Sequence, residues 1–266
     1  MTDLIEATTE DLLDRTRELA LKDPTRESDE RWEAIRELHA RGDAKIFKAA
    51  QAWCSASEAL LRSLGADVMG QLGYESGLPY ADASEPFLQA LLSDTDARVV
   101  AGGLVALGHL ARGSFEVIQP LATHSSERVR EAVAYCLGGR EEEAALTTLI
   151  QLSTDQDRDT RNWAAFGLGS QCEADRPDLR DALAALLTDE DHEIRGEAMV
   201  GLATRKDERA RAAILNELQM DDVSDLSIEA AALLPDAGFI KHLEVLNERH
   251  PGAETIETAI ESCRSI

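Results

Sequence analysis

Four stretches of this 266-residue chain align with one another without gaps: RVVAGGLVALG ending at Gly108, RVREAVAYCLG ending at Gly138, DTRNWAAFGLG ending at Gly169, and EIRGEAMVGLA ending at Ala203. SLGADVMGQLG, ending at Gly73, and DLSIEAAALLP, ending at Pro235, are weaker copies. The leucines near their ends (Leu72, Leu107, Leu137, Leu168, Leu202 and Leu234) lie 35, 30, 31, 34 and 32 residues apart. A period of that length holds one pair of helices, which cannot bury its apolar face alone and must stack on its neighbours.

Within each strong copy, the opening residue (Val99, Val129, Thr160 or Ile194) is position 0. Apolar, mostly small residues follow at positions 4 and 5, and leucine at position 8. These positions share one face of a helix. PFLQALL, AALTTLIQL and DALAALL supply a preceding apolar helix, each followed by a short polar turn. Asp94 and Asp96, Asp155 and Asp157, and Asp189 and Asp191 recur five and three residues before position 0, where aspartate caps a helix or closes an Asx-turn. Arg130, Arg161 and Arg195 occupy position 1, one repeat apart, and are expected to pair with aspartates of their own or the adjacent turn.

The pattern D-x-D-x-x-V-R-x-x-A-A-x-A-L-G resembles the HEAT-repeat family, and in particular the short HEAT-like repeats also found in phycobilisome lyases, over roughly residues 55–245. RWEAIRELHARGD, SLGADVMGQLG and RNWAAFGLGSQ are similar to segments of a group of bacterial HEAT-repeat proteins. The low aromatic content, 4%, with abundant alanine and leucine, independently favours closely packed helices over sheets. The expected fold is therefore all-α: an α-solenoid (superhelix) of about six HEAT-like helical hairpins with helical end caps.

Residues 1–54 are expected to form the N-terminal cap, 55–238 the repeat body and 239–266 the C-terminal cap. In the first cap, a helix after Thr9 stops near Asp23-Pro24, and Ser28 or Asp29 opens a second helix. Trp32, Ile35 and Leu38 share a face of that helix, Gly42 closes it, and Asp43 caps the next.

With 27 Lys+Arg against 51 Asp+Glu, the formal charge is −24, which opposes nucleic-acid and anionic membrane surfaces and favours a basic protein or peptide partner. MTDLIEATTEDLL has neither the basic start nor the apolar run of a secretory leader, so a cytoplasmic location is expected. The end caps suggest a monomer. Four scattered cysteines read as buried free thiols. The six histidines form no H-E-x-x-H and no Cys/His cluster at zinc spacing, and no phosphate-binding G-x-x-x-x-G-K-[ST] loop occurs, so no catalytic residue, metal or cofactor is expected.

Positions 3 and 6 of the second helices project away from the packed face. Read down the repeats, they give Asp67, Gly102, Ala132, Trp163, Glu197 and Glu229 in one column, and Gly70, Val105, Tyr135, Phe166, Val200 and Ala232 in the other. Position 10 adds Tyr74, His109 and Ser170. The expected binding surface is concave and combines Tyr135, Trp163 and Phe166 with Glu197, Glu229, Asp67 and His109. Aromatic faces attract Arg or Lys, and carboxylates complete the pairing. The leading reading is a non-enzymatic protein-interaction scaffold. An immunity or inhibitor protein covering the basic face of a toxin or nuclease is a sharper form of it. The rival class is a HEAT-like enzyme or small-molecule binder, lyase or metal-dependent.

Overall fold

The computed structural model describes residues 2–265, and every regular element among them is helical. The chain divides into two compact units, Met1–Cys136 and Leu137–Ile266. The first holds α1 (Thr2–Glu6), α2 (Thr9–Lys22), α3 (Asp29–Arg41), α4 (Ala44–Cys54), α5 (Ala59–Met69), α6 (Ala81–Leu91), α7 (Ala97–Leu110) and α8 (Phe115–Ile118), with α9 (Glu127–Leu137) ending at the boundary. The second holds α10 (Glu143–Leu152), α11 (Arg158–Gly169), α12 (Pro177–Leu186), α13 (His192–Thr204), α14 (Ala210–Glu217), α15 (Asp225–Leu233), α16 (Ile240–Arg249) and α17 (Glu254–Arg264).

In the first unit α4 packs on α5 and α6 on α7, and α5 also packs on α7. In the second, α10 pairs with α11, α12 with α13, α14 with α15 and α16 with α17, while α11, α13, α15 and α17 stack in that order. Each unit is thus layered from helical hairpins, the α-solenoid that the repeat implies. The leucines at position 8 of the strong copies, Leu107, Leu137, Leu168 and Leu202, are fully buried.

The turns explain why the hairpins stack in register. Asp96, Asp157 and Asp191 cap α7, α11 and α13 by accepting from backbone N–H groups of the first turn, and so satisfy donors that have no partner inside the helix. Two residues earlier, Asp94, Asp155 and Asp189 accept from the N–H of each capping aspartate at 2.8, 2.9 and 3.0 Å. In α11 and α13 the arginine at position 1 ties its own turn to the next. The Arg161 guanidinium donates to its own turn at the Asp155 carbonyl, 3.0 Å, and to Asp189 of the following repeat, 2.8 Å. Arg195 does the same with the Asp189 carbonyl, 2.9 Å, and Glu217, 2.7 Å. Thr8, Ser28 and Asp43 cap α2, α3 and α4, and Gly42 ends α3 in the left-handed region at φ 55°. All four cysteines are buried and unbridged.

Arg62 joins this ladder, donating to the Ala56 carbonyl at 3.0 Å and to Asp94 at 2.6 Å. Position 0 of α5 is therefore Leu61, three residues before the Leu64 implied by aligning SLGADVMGQLG on its leucine. Glycine contacts agree. A Cβ on Gly70 would lie 3.0 Å from the Ala106 Cα, just as one on Gly108 would lie 3.2 Å from the Cys136 Cα, so Gly70 is a position-9 residue. Asp67 then moves from position 3 to position 6, and Gln71, not Tyr74, stands at position 10.

In the second unit α11 and α13 approach closely. A Cβ on Gly201 would meet the Gly169 Cα at 2.7 Å and the Leu183 side chain at 2.8 Å. Gly201→Ala is expected to cost about 1–3 kcal/mol through overpacking, against the ~1 kcal/mol that alanine gains in helix propensity. Urea denaturation checks the sign: a more stable variant would show that the helices can separate freely.

Candidate functional site

In the second unit, the cap at Asp157 sets α11 so that Trp163 and Phe166, one turn apart, come to one side. Both are half-buried, and their rings meet edge to face with centroids 5.9 Å apart. This geometry matches the quadrupole preference of aromatic pairs.

Glu197, on the next second helix, α13, is only 9% exposed. Ser170, just past the end of α11, donates its hydroxyl to the Glu197 carboxylate. Gly169 allows this approach, since a Cβ there would lie 2.5 Å from the Glu197 carbonyl oxygen. Burial pushes the Glu197 carboxyl above the ordinary glutamate range; the Ser170 hydrogen bond offsets part of this, while the charges of Glu229 and Glu193 add to it. Glu193 is committed to Arg158, which also holds Asp191 at 2.7 Å. Glu229, on α15, is exposed and forms no ion pair among the described residues.

Glu197 is therefore not the open carboxylate that the alternation of helix positions suggested: close helix packing encloses it. A folded carboxyl with a raised pKa binds its proton more tightly than the unfolded chain does, so its contribution to stability falls as pH rises through and above the ordinary glutamate range. Glu197→Gln keeps an acceptor for Ser170 without the buried charge. It is expected to raise the melting temperature at pH 7 and to leave it unchanged near pH 4. An equal effect at both pH values would contradict the assignment.

In the first unit, His109 ends α7 and is exposed. The Tyr135 hydroxyl lies 2.8 Å from its Nδ1, the two rings meet edge to face at 5.4 Å, and the Gln71 amide also contacts the imidazole. Desolvation by the neighbouring groups lowers the His109 pKa, opposed by the charge of Asp67, and burial raises that of Tyr135. Tyr74 is exposed in the short helical turn Tyr74–Ser76, and its hydroxyl meets Glu75.

Asp67 is withdrawn from any outer surface. Its carboxylate is 5% exposed and ion-paired with both Arg26 and Arg31, whose side chains are 15% and 1% exposed. The His39 Nε2 lies 2.9 Å from the Asp67 carbonyl oxygen, and burial, partly countered by Asp67, holds the His39 pKa down. Arg31 also lies over the Trp32 ring, 4.7 Å from its centroid, while the indole N–H donates to the Arg26 carbonyl at 2.8 Å. On α3, Ile35 and Leu38 are buried as expected, but Arg31, Ala34 and His39 are buried with them, and Trp32 is half-buried. Burial, reinforced by the Asp67 charge, pushes the nearby Cys54 thiol up to about 12.

The structure thus groups Trp163, Phe166, Glu197 and Glu229 in one unit, and Asp67, His109 and Tyr135 in the other. Arg26, Arg31 and His39 escaped the sequence reading because they reach Asp67 across 28 to 41 residues and belong to no repeat. Among the described residues, no three His, Cys, Asp or Glu side chains are placed to hold a metal ion, and no helix is long and apolar enough to cross a membrane.

The family model for HEAT repeats matches residues 84–169 and 148–234. Protein YibA of Escherichia coli, strain K12, is 29% identical over 242 residues, spanning 88% of this chain and 85% of that protein. The X-ray structure of E. coli YibA aligns with a TM-score of 0.75 and 27% identity, covering 100% of this chain and 95% of that one. The complex of CpcE and CpcF of phycocyanin lyase from Nostoc aligns with a TM-score of 0.48 and 16% identity over 93% of each chain.

Proposed function

Since this chain belongs to the HEAT-repeat family, we propose that it is a non-enzymatic protein-interaction scaffold whose second unit receives a basic segment of a partner protein on the Trp163–Phe166 side of α11. The observation that carries this reading is the edge-to-face pair of half-buried rings in a chain with 4% aromatic residues. A guanidinium or ammonium group placed over the indole gains about 0.5–2 kcal/mol from the ring quadrupole.

Glu229 supplies an exposed carboxylate near Glu197, and the overall charge of −24 steers a cationic segment toward the protein. Asp67 takes no part, because Arg26 and Arg31 neutralise it; Tyr135 and His109 meet in the first unit. The terminal segments 1–54 and 239–266 are proposed to serve as end caps.

An Arg/Lys-rich peptide is the probe. Its affinity is expected to fall as salt rises, since screening weakens attraction between opposite fields, and to drop further by a factor of ten or more in Trp163→Ala and in the charge reversal Glu229→Lys. Affinity that ignores salt and both substitutions would refute the proposed surface.

A further inference from the structure

The Asp67 centre holds more cation than it can neutralise. Two guanidinium groups, the buried Arg31 and the half-buried Arg26, share one carboxylate, which leaves a formal excess of one positive charge at this centre in a chain of net charge −24. His39 adds no negative charge and faces the Asp67 backbone carbonyl. The hydrogen-bond inventory is unbalanced in the same direction. The Arg26 Nε, the Arg31 Nε and Nη1 and the Ser63 Oγ are buried and find no acceptor in the protein. Buried donors are normally paired, because an unpaired one forfeits its hydration without return.

One of these atoms, the Ser63 Oγ, borders a small space together with the other end of the Arg26 guanidinium, Nη1. Gly102, on α7, has no side chain, and a Cβ built there would have only ordinary contacts: the Ser63 Oγ at 3.5 Å, the Ala66 methyl at 3.6 Å and the Arg26 Nη1 at 3.9 Å. Gly102 and Ser63 are buried, while Arg26 keeps 15% of its side chain open. The backbone at Arg26 is itself unusual. Its φ of 66° lies in the left-handed region, which side-chain-bearing residues rarely occupy, and the turn from Asp23 to Ser28 holds it there through the Asp23 side chain. Strain of this kind concentrates where a side chain must be aimed.

We propose that the notch over Gly102, between Arg26 and Ser63, binds one carboxylate. Asp67 orients the two guanidinium groups, the Arg26 Nη1 and the Ser63 hydroxyl donate to the bound anion, and the added charge cancels the excess of the centre. The bound group is either a small free carboxylate or the carboxylate of a peptide; the chemistry is the same.

Thermal unfolding in sodium acetate exchanged for sodium chloride at constant ionic strength tests the site. A ligand that binds only the folded state raises the melting temperature with the logarithm of its concentration. The wild type is expected to show this rise, and Arg26→Gln to lose it. Gly102→Asp builds a carboxylate into the notch. It should melt higher than its neutral counterpart Gly102→Asn in the absence of acetate and show no further response to it. Saturation-transfer NMR from the protein to acetate gives a second readout, expected for the wild type and lost in Arg26→Gln. A peptide with a free C-terminal carboxylate, compared with its C-terminal amide, reports the protein-borne source; a response in either arm supports the site. No saturation transfer and no melting shift with either probe, or an acetate response equal in the wild type, Arg26→Gln and Gly102→Asp, would overturn it.

Discussion

Asp67→Asn is expected to lower the unfolding free energy of the first unit by about 3–5 kcal/mol, the loss typical of removing one partner from a buried ion pair. The carboxylate is the shared acceptor for Arg26 and Arg31, and Arg31 is 1% exposed, so its charge cannot turn to water when Asp67 is neutralised. Replacing Arg31 and Asp67 together by Met and Leu should cost far less than either single change, because the desolvated charges leave as a pair and apolar groups fill similar volume. Trp32 and Trp53 both lie in this unit and report its unfolding in urea through their fluorescence. If Asp67→Asn unfolds with wild-type stability, the centre is not held together by this carboxylate.

Leu168→Ala is expected to cost about 2–5 kcal/mol in the second unit, the sum of lost transfer energy and an unfilled cavity. Leu168 is fully buried on α11. Trp163, five residues earlier on the same helix, is only half-buried, and Trp163→Ala should remove much less stability while weakening capture of a basic peptide. The contrast separates a ring used for recognition from one used for packing. Equal destabilisation by the two substitutions would assign Trp163 to the core. Circular dichroism is the appropriate probe, since Trp163 is the tryptophan of this unit and is itself altered.

The fold was legible in the chain because its information is local and repeated. The capping aspartates, the position-1 arginines and the position-8 leucines each recur with the hairpin, and the structure pairs Arg161 with Asp189 across adjacent turns as their spacing implies. Legibility ended where a repeat degenerates. A shift of three residues keeps an apolar pattern on nearly the same helix face, so leucine alignment alone placed α5 one turn out of register; the Arg62–Asp94 pair reveals the shift.

The candidate surface was legible only in part. Trp163 and Phe166 emerge together as their one-turn spacing suggests. Glu197 and Asp67 do not remain open, for different physical reasons. Glu197 is enclosed because Gly169 lets α11 and α13 approach closely, a consequence of a missing side chain on a neighbouring helix. Asp67 is neutralised by arginines from the turn before α3 and from α3 itself, a long-range pairing that no periodicity records. Part of the net charge of −24 is therefore internal to the architecture, shared among caps, the arginine ladder and one buried centre. Glu229 remains the exposed carboxylate of the proposed surface.

The most direct test is a double-mutant cycle between Trp163→Ala and an arginine-to-glutamine change in the bound peptide, with affinities measured at low and physiological salt. A coupling of about 0.5–2 kcal/mol, the range of a cation over an indole face, is the result predicted for a second unit that recognises a basic segment through Trp163. Additive losses with no coupling, for every arginine of the peptide, would contradict that claim.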